Sequence, residues 1–145
     1  MRPEMLKDQA ALRLVLAFGI ILAGVILFRL VNKRILAQAR SKPLGLESAQ
    51  PGIPILLYFT TPACIPCKTI QRPAIRRLRE KFDAPIQVIE IDATQRPDLA
   101  SHWGVLSVPT TFIIDGQGLP RLVNHGVATT DKLLKQFTEL IEIRS

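Results

Sequence analysis

The sequence predicts an α/β domain, with a central mixed sheet flanked by helices, preceded by one N-terminal transmembrane helix. Residues 10–31 predict the helix, because they are almost entirely apolar and have the length that a bilayer requires. The rest of the chain predicts the domain, since strand-like apolar runs alternate there with helix-like periodic segments. A chain of 145 residues suits one domain with an appendage and excludes a multidomain enzyme.

The positive charge of the chain is concentrated around the apolar segment. The formal net charge is +7, and residues 1–42 hold eight Lys or Arg against two Asp or Glu, so +6 of it lies there. The remainder is nearly neutral, whereas a nucleic-acid-binding domain would need a basic surface of its own. We therefore expect no nucleic-acid partner, and we attribute the basicity to contact with a membrane.

We interpret the N-terminal segment as an uncleaved, single-pass anchor that meets the lipid bilayer through residues 10–31. Its two charged residues, Arg13 and Arg29, lie near the ends, where long side chains can reach the headgroups. A cleaved signal sequence with Ala-Gln-Ala at 37–39 as the cleavage site is one alternative, and a buried core helix is another. Arg29, Lys33 and Arg34 lie between the uncharged run at 14–28 and that tripeptide, which favours the anchor.

The expected organisation is an anchor with basic flanks at 1–42, a linker at 43–52 and the α/β domain at 53–145. Proline and glycine in the linker favour turns over regular structure. Three Lys or Arg precede the uncharged run at 14–28 and five follow it up to residue 42, which favours a cytoplasmic domain under the positive-inside rule.

The first elements of the domain are a strand at 55–60 and a helix at 64–82. The strand is a continuous apolar run, as expected when both faces are buried. Apolar residues recur every four positions in the helix, and Pro73 is expected to kink it. The apolar stripe consists of Ile70, Ala74, Leu78 and Phe82.

The remaining pattern predicts a strand at 86–91, a short helix at 97–103, two strands at 110–114 and 119–124, and a helix at 129–143. An Asp-Gly pair joins the last two strands and favours a hairpin. The order is β-α-β-α-β-β-α. Its two β-α-β crossovers predict that the first three strands are parallel, and the hairpin adds an antiparallel edge.

Both cysteines of the chain lie in one Cys-x-x-Cys motif, formed by Cys64 and Cys67. They follow a buried strand and begin a helix, whose free N–H groups and dipole favour a thiolate. Redox exchange, a metal site and an incidental or buried pair are the three interpretations of such a motif. A metal site would need more ligands, and only His102 and His125 are available, at a spacing that matches no zinc finger.

This strand, motif and helix resemble the thioredoxin family. Lys68 directly after the second cysteine is a common family feature, and Gly-Val-Leu-Ser-Val-Pro-Thr-Thr-Phe at 104–112 resembles the family segment that carries a cis-proline. Pro109 lies 42 residues after Cys67, close to the family spacing. The resemblance covers residues 53–143 and implies a thioredoxin-like fold.

The resemblance implies a protein-disulfide oxidoreductase that needs no cofactor and no metal. Cys64 would attack a disulfide and Cys67 would resolve the mixed disulfide, so both are expected to be catalytic. Implied partners are protein or small-molecule disulfides and thiols, together with an electron donor or acceptor. The residues expected to bind substrate are Ile65, Pro66, Val108 and Pro109, with a cis bond before Pro109.

The chain departs from the family pattern in several places. Ala63 replaces the usual tryptophan, Tyr58 stands where the family has a buried aspartate, and Pro73 falls one residue later than the usual helix proline. The domain also lacks room for the family's first strand and helix. Anchored bacterial relatives favour an extracytoplasmic domain, opposite to the charge count.

A binding module is the alternative function. It would be a membrane-tethered thioredoxin-fold adaptor, or a chaperone whose two thiolates hold Cu(I) or another metal ion without redox turnover. A basic run on the predicted 64–82 helix is expected to be a solvated face, with contact to anionic lipids as the alternative. Its members are Arg72, Arg76, Arg77, Arg79 and Lys81.

Overall fold

The computed structural model describes residues 3–41 and 44–143, which form two compact units, Met1–Arg34 and Ile35–Ser145. Every predicted element is present. The strands and helices after residue 53 end within a few residues of the predicted bounds, whereas the N-terminal helix extends well beyond the predicted 10–31 at both ends. The elements are α1 (Pro3–Ser41), β1 (Ile55–Thr60), a π-helical turn (Cys67–Gln71), α2 (Arg72–Lys81), β2 (Gln87–Asp92), α3 (Pro97–His102), β3 (Thr110–Ile114), β4 (Pro120–His125) and α4 (Thr130–Glu142).

The first unit is the N-terminal part of α1. The stretch Gln9–Ala39 contains an apolar window of mean hydropathy 2.7, and none of that window is buried within the structure. Its length and composition are sufficient to cross a bilayer, and a signal sequence has the same properties. Exposed apolar side chains throughout the window do not fit the core helix of a soluble domain.

The second unit is built on a four-stranded mixed sheet in the order β2-β1-β3-β4. β1 and β2 are parallel, whereas β3 runs antiparallel to both β1 and β4. The Asp-Gly hairpin between β3 and β4 is therefore confirmed. The expectation that the first three strands are parallel is wrong for β3.

The direction of β3 fits the short helix in the connection that precedes it. Thr60 pairs with Asp92, so β1 and β2 end at the same edge of the sheet, and Thr110 pairs with Phe59, so β3 begins at that edge. The six-residue α3 spans about 9 Å, whereas a six-residue strand spans about 20 Å. α3 is therefore too short to carry the chain back along the sheet, and β3 begins at the end where β2 stops.

β1 is buried on both faces, as its continuous apolar run predicts. On one face, Leu57 and Phe59 belong to a cluster that includes Trp103 and Phe112, whose ring centroids are 4.9 Å apart. On the other face, β1 packs against α2 and α4. The buried members of this second cluster are Leu56, Tyr58, Cys64, Cys67, Ile75, Leu78, Ile113, Ala128, Leu133 and Phe137.

The last turns of α1 and the segment after them contribute to the first of these clusters. Ala39 and Leu46 are buried in it, and the indole N–H of Trp103 donates to the carbonyl of Leu44 at 2.9 Å. Gly45 has a φ of +85° and lies so close to Leu99 that a Cβ there would be 3.1 Å from it. The boundaries 1–42, 43–52 and 53–145 stay predictions.

The turn between β3 and β4 is organised around the buried Asp115. Its Oδ1 accepts hydrogen bonds from the backbone N–H groups of Gln117 and Leu119, and its Oδ2 accepts one from Arg121 at 2.7 Å. Burial raises the pKa of Asp115, but the donors from Leu119, Arg121 and Gln117 together lower the pKa below its usual value.

We expect Asp115→Asn to lower the free energy of unfolding by about 1–2 kcal/mol at neutral pH, because hydrogen bonds to a charged acceptor are replaced by bonds to a neutral one. The folded-state pKa of Asp115 is depressed, so its contribution is fully present above about pH 4 and is lost as the pH falls through the folded pKa. Urea unfolding, followed by the fluorescence of the single tryptophan, measures this. The difference between wild type and variant should shrink in acid, and a constant difference would contradict the assignment.

Candidate active site

Cys64 and Cys67 form a disulfide at the edge of the sheet where β1 ends. Their Cα atoms are 5.3 Å apart. Cys64 retains 8% of its surface, whereas Cys67 retains 0%. Cys64 is therefore the cysteine that a second disulfide can reach, and Cys67 lies behind it.

A backbone donor points at the sulfur of the outer cysteine. The N–H of Cys67 lies 3.2 Å from Sγ of Cys64, and the N–H of Lys68 lies 3.4 Å from the carbonyl of Cys64. Cys64 thus caps the start of the helix with its sulfur, as serine or aspartate does elsewhere. After reduction, the same N–H stabilises a thiolate at this position more than a thiol.

The helix that starts after Cys64 contains a π-helical turn from Cys67 to Gln71. The N–H of Arg72 bonds to the carbonyl of Cys67, five residues earlier, so the turn holds one residue more than an α-helical turn. This extra residue explains why Pro73 falls one position late. Pro73 is the second residue of α2, where its missing N–H is not needed.

The π-helical turn also changes which side chains face the core. Ile70 is 51% exposed, so its placement in the predicted core stripe is wrong. Gln71 and Ile75 are buried in its place. The four-residue spacing fails because it assumes α-helical geometry from Cys64 onward, and the extra residue rotates Ile70 out of the stripe.

Tyr58 lies beneath the second cysteine. Its hydroxyl donates to the carbonyl of Cys67 at 3.3 Å, and the side chain is completely buried. Burial raises the pKa of Tyr58, so the hydroxyl stays protonated and remains a donor at neutral pH. A neutral phenol therefore occupies the position at which the family resemblance implies a carboxylate.

The segment that carries Pro109 lies beside the cysteine helix. The Val108–Pro109 peptide bond is cis, and Val108 packs against the cluster that contains both cysteines. The N–H of Gly126 donates to the carbonyl of Pro109 at 2.9 Å. Two residues later, Ala128 exchanges two hydrogen bonds with the buried amide of Gln71, at 2.8 and 3.1 Å.

Of the predicted site residues, the structure brings Cys64, Cys67 and Val108 into one cluster, and Pro109 is linked to it through the Gly126–Ala128 segment. Ile65 and Pro66 lie at the surface, and Ile65 is 70% exposed. Sequence reasoning missed the pairing of Gln71 with Ala128. The only pattern that points to Gln71 is the extra residue between Cys67 and Pro73.

We expect Gln71→Leu to lower the free energy of unfolding by about 2–4 kcal/mol, because it leaves the N–H and the carbonyl of Ala128 without partners in a buried setting. Urea unfolding measures the loss. Gln95→Leu, at an exposed position, is the matched control and should change stability by less than about 0.5 kcal/mol. Equal effects of the two changes would contradict the role of the buried amide.

The two histidines are distant from the Cys-x-x-Cys motif in the sequence. His102 contacts the ring of Trp103 edge-on, with centroids 6.0 Å apart. His125 lies on β4 and pairs with Thr110 of β3, the residue that follows Pro109. Among residues 3–41 and 44–143, no group of three or more His, Cys, Asp or Glu side chains is arranged to hold a metal ion.

Comparison with known proteins agrees with this geometry. A family model described as Thioredoxin matches residues 47–139. Thioredoxin 1 of a Nostoc species is 28% identical over 80 residues, which cover 55% of this chain and 74% of that protein. Thioredoxin 1 of Synechococcus elongatus is 29% identical over 85 residues, which cover 58% and 78%.

Solved structures agree as well. A single-site mutant of a thioredoxin from Halobacterium salinarum matches with a TM-score of 0.58 at 26% identity, covering 67% of this chain and 81% of that one. Chloroplastic thioredoxin z matches with a TM-score of 0.60 at 22% identity, covering 68% and 88%, and supports the fold alone.

Proposed function

The chain belongs to the thioredoxin family, and on that premise we propose that it is a membrane-anchored oxidoreductase that exchanges protein disulfides through Cys64 and Cys67. Family membership implies thiol–disulfide oxidoreductase activity. The anchor, the preference for protein disulfides and the roles of individual residues are the parts that we propose.

The observation that carries the proposal is the asymmetry of the two cysteines. Cys64 is the accessible one, and its sulfur lies 3.2 Å from the N–H of Cys67, whereas Cys67 is fully buried. A nucleophile must reach its target as a thiolate, and a resolving thiol must be close to it and sheltered from other disulfides. The pair meets both requirements.

The reaction proceeds in two exchanges. In the first, the Cys64 thiolate attacks one sulfur of the substrate disulfide, the substrate S–S bond breaks, and the other substrate sulfur leaves as a thiolate. In the second, the Cys67 thiolate attacks Sγ of Cys64 and releases the remaining substrate thiolate. Two electrons pass to the substrate, the protein is left as the Cys64–Cys67 disulfide, and an external dithiol restores it. The reverse sequence oxidises a substrate dithiol.

We assign substrate binding to the surface beside Cys64. Ile65 and Pro66 are exposed next to the disulfide, and Val108 and Pro109 lie on the segment packed beside it. The peptide bond before Pro109 is cis. An unfolded or extended substrate chain can contact these residues while its disulfide reaches Cys64.

The burial of Ala39 supports an anchor that is retained. A cleavage after the Ala-Gln-Ala at 37–39 would separate Ala39, which is 1% exposed within a core cluster, from the rest of the domain. Because the end of α1 contributes Ala39 to the core, removal of this segment would take a buried side chain out of the domain. This favours a retained anchor over a cleaved leader. Labelling of reduced Cys64 by a membrane-impermeant thiol reagent in intact cells distinguishes an extracytoplasmic domain from a cytoplasmic one.

Reduction of insulin by dithiothreitol tests the function directly. The 145-residue chain in zwitterionic detergent micelles should accelerate the reduction, and a variant with both cysteines changed to alanine should not. If the wild type gives no acceleration but binds Cu(I) stoichiometrically through the two thiols, the tethered metal-chaperone alternative replaces the oxidoreductase. If it does neither, an adaptor role remains.

A further inference from the structure

The outer edge of β2 has no strand beside it within residues 3–41 and 44–143. β2 is the terminal strand of the sheet and pairs only with β1. The N–H of Gln87 donates to the carbonyl of Pro54, which precedes β1, so alternate residues from Gln87 onward direct their backbone groups to β1. The backbone N–H and C=O groups of Val88 and Glu90 therefore point away from the sheet.

This open edge borders a groove whose other wall is α2. The groove has a volume of about 420 Å³. Val88 and Glu90 line it from the strand, and three arginines line it from the helix: Arg72, Arg76 and Arg79. An extended chain placed against β2 would thus have its backbone on the strand edge and every second side chain toward α2.

The wall formed by α2 is positively charged. Arg72 is paired with Glu90 at 2.5 Å. Within the described part of the chain, no acidic side chain lies within ion-pair distance of Arg76 or Arg79, although Glu80 also lines the groove. Both arginines are exposed. Two guanidinium groups are therefore available to a ligand that supplies carboxylates.

We propose that the β2 edge and Arg76 and Arg79 form a docking groove for an extended acidic segment of a partner protein, which adds to the sheet as a fifth strand. An extended backbone presents its own N–H and C=O groups at the spacing needed to pair with the donors and the acceptors of Val88 and Glu90 together. β2 is about 20 Å long, which accommodates about six residues. Carboxylates at alternate positions would face the arginines. Neither cysteine lines this groove, although Tyr58 does, and the proposal does not rest on the redox function.

Peptide binding to the 145-residue chain tests the proposal. The probe is a capped eight-residue peptide of alternating valine and glutamate, added to 15N-labelled protein in zwitterionic micelles. We expect saturable shifts of the Val88 and Glu90 amide resonances and slower hydrogen exchange at both amides. A peptide with lysine in place of glutamate should not bind, and one with a central proline should bind weakly because it cannot pair along its length.

Two sets of variants separate the charges from the strand edge. Arg76→Glu with Arg79→Glu should weaken binding at least about tenfold, whereas Arg77→Glu with Lys81→Glu is the matched control, because those residues are exposed but do not line the groove. Val88→Pro removes one outward N–H without removing a bond to β1, and it should also weaken binding. The arginine pair decides the matter if Val88→Pro fails to fold.

Several results would overturn the proposal. They are equal binding of the lysine peptide, equal loss in the control pair, unchanged binding by a folded Val88→Pro, or shifts confined to Cys64 and the segment around Pro109. A membrane surface is the competing occupant. If bilayers containing phosphatidylglycerol shift Arg76 and Arg79 without any peptide and prevent the acidic peptide from binding, the groove serves lipids instead.

Discussion

Replacing Cys64 with serine is expected to lower the rate of insulin reduction at least about a thousandfold, because a serine hydroxyl is not ionised at neutral pH and cannot form the mixed disulfide. Cys67→Ser should also stop turnover, but for another reason. Its Cys64 can still attack, and the mixed disulfide then persists because no resolving thiol is present.

The two variants therefore differ in what they accumulate. Non-reducing electrophoresis and mass spectrometry after incubation with a disulfide substrate should show a covalent adduct through Cys64 in Cys67→Ser and none in Cys64→Ser. The control is unfolding by urea, since neither substitution should abolish the folded state. An adduct through Cys67 in Cys64→Ser would reverse the assigned roles and contradict the inference from burial.

Trp103→Ala is expected to lower the free energy of unfolding by about 3–5 kcal/mol, the usual effect of removing a buried aromatic side chain. Trp103 is completely buried, packs against Phe112 and donates to the carbonyl of Leu44. The substitution therefore opens a cavity and releases the segment after α1. Hydrogen exchange of the β1 amides measures the loss, because the variant lacks the only tryptophan of the chain.

Trp103→Phe separates the two effects. It retains most of the packing against Phe112 and removes the donor to Leu44, so we expect a smaller loss than for alanine. Exchange should increase around Leu44 and Leu46 in both variants. A loss below about 1 kcal/mol in Trp103→Ala would mean that the residues around α3 are not part of the cooperative core.

The sequence predicted the elements of the fold better than their directions. The run at 55–60 predicted a strand buried on both faces. When both faces of a strand are buried, the sequence is apolar at every position and does not alternate between apolar and polar residues. The direction of β3 depends on whether the 93–109 connection crosses the sheet, and local hydrophobicity does not contain that information.

For the site, the sequence correctly predicted that both cysteines lie at the start of a helix after β1. The reactive residues and the strand and helix signals that position them are adjacent in the sequence, so no distant contact had to be predicted. The contacts that join distant segments were not predictable. Gln71 meets Ala128 across a separation of 57 residues, and Ala39 enters the core from a stretch assigned to the anchor. Glutamine and alanine side chains occur both in cores and at surfaces, so the sequence does not show which of the two environments Gln71 and Ala39 occupy. The tertiary fold decides it.

The π-helical turn at Cys67–Gln71 also bears on how the family's sequences are aligned. An inserted residue in a helix normally rotates everything after it by about 100°, since an α-helix has 3.6 residues per turn. A single wider turn absorbs the insertion locally, so that Cys67 at its start and Leu78 after it both stay buried. When this chain is aligned with a relative whose helix is one residue shorter, the gap therefore belongs inside that turn.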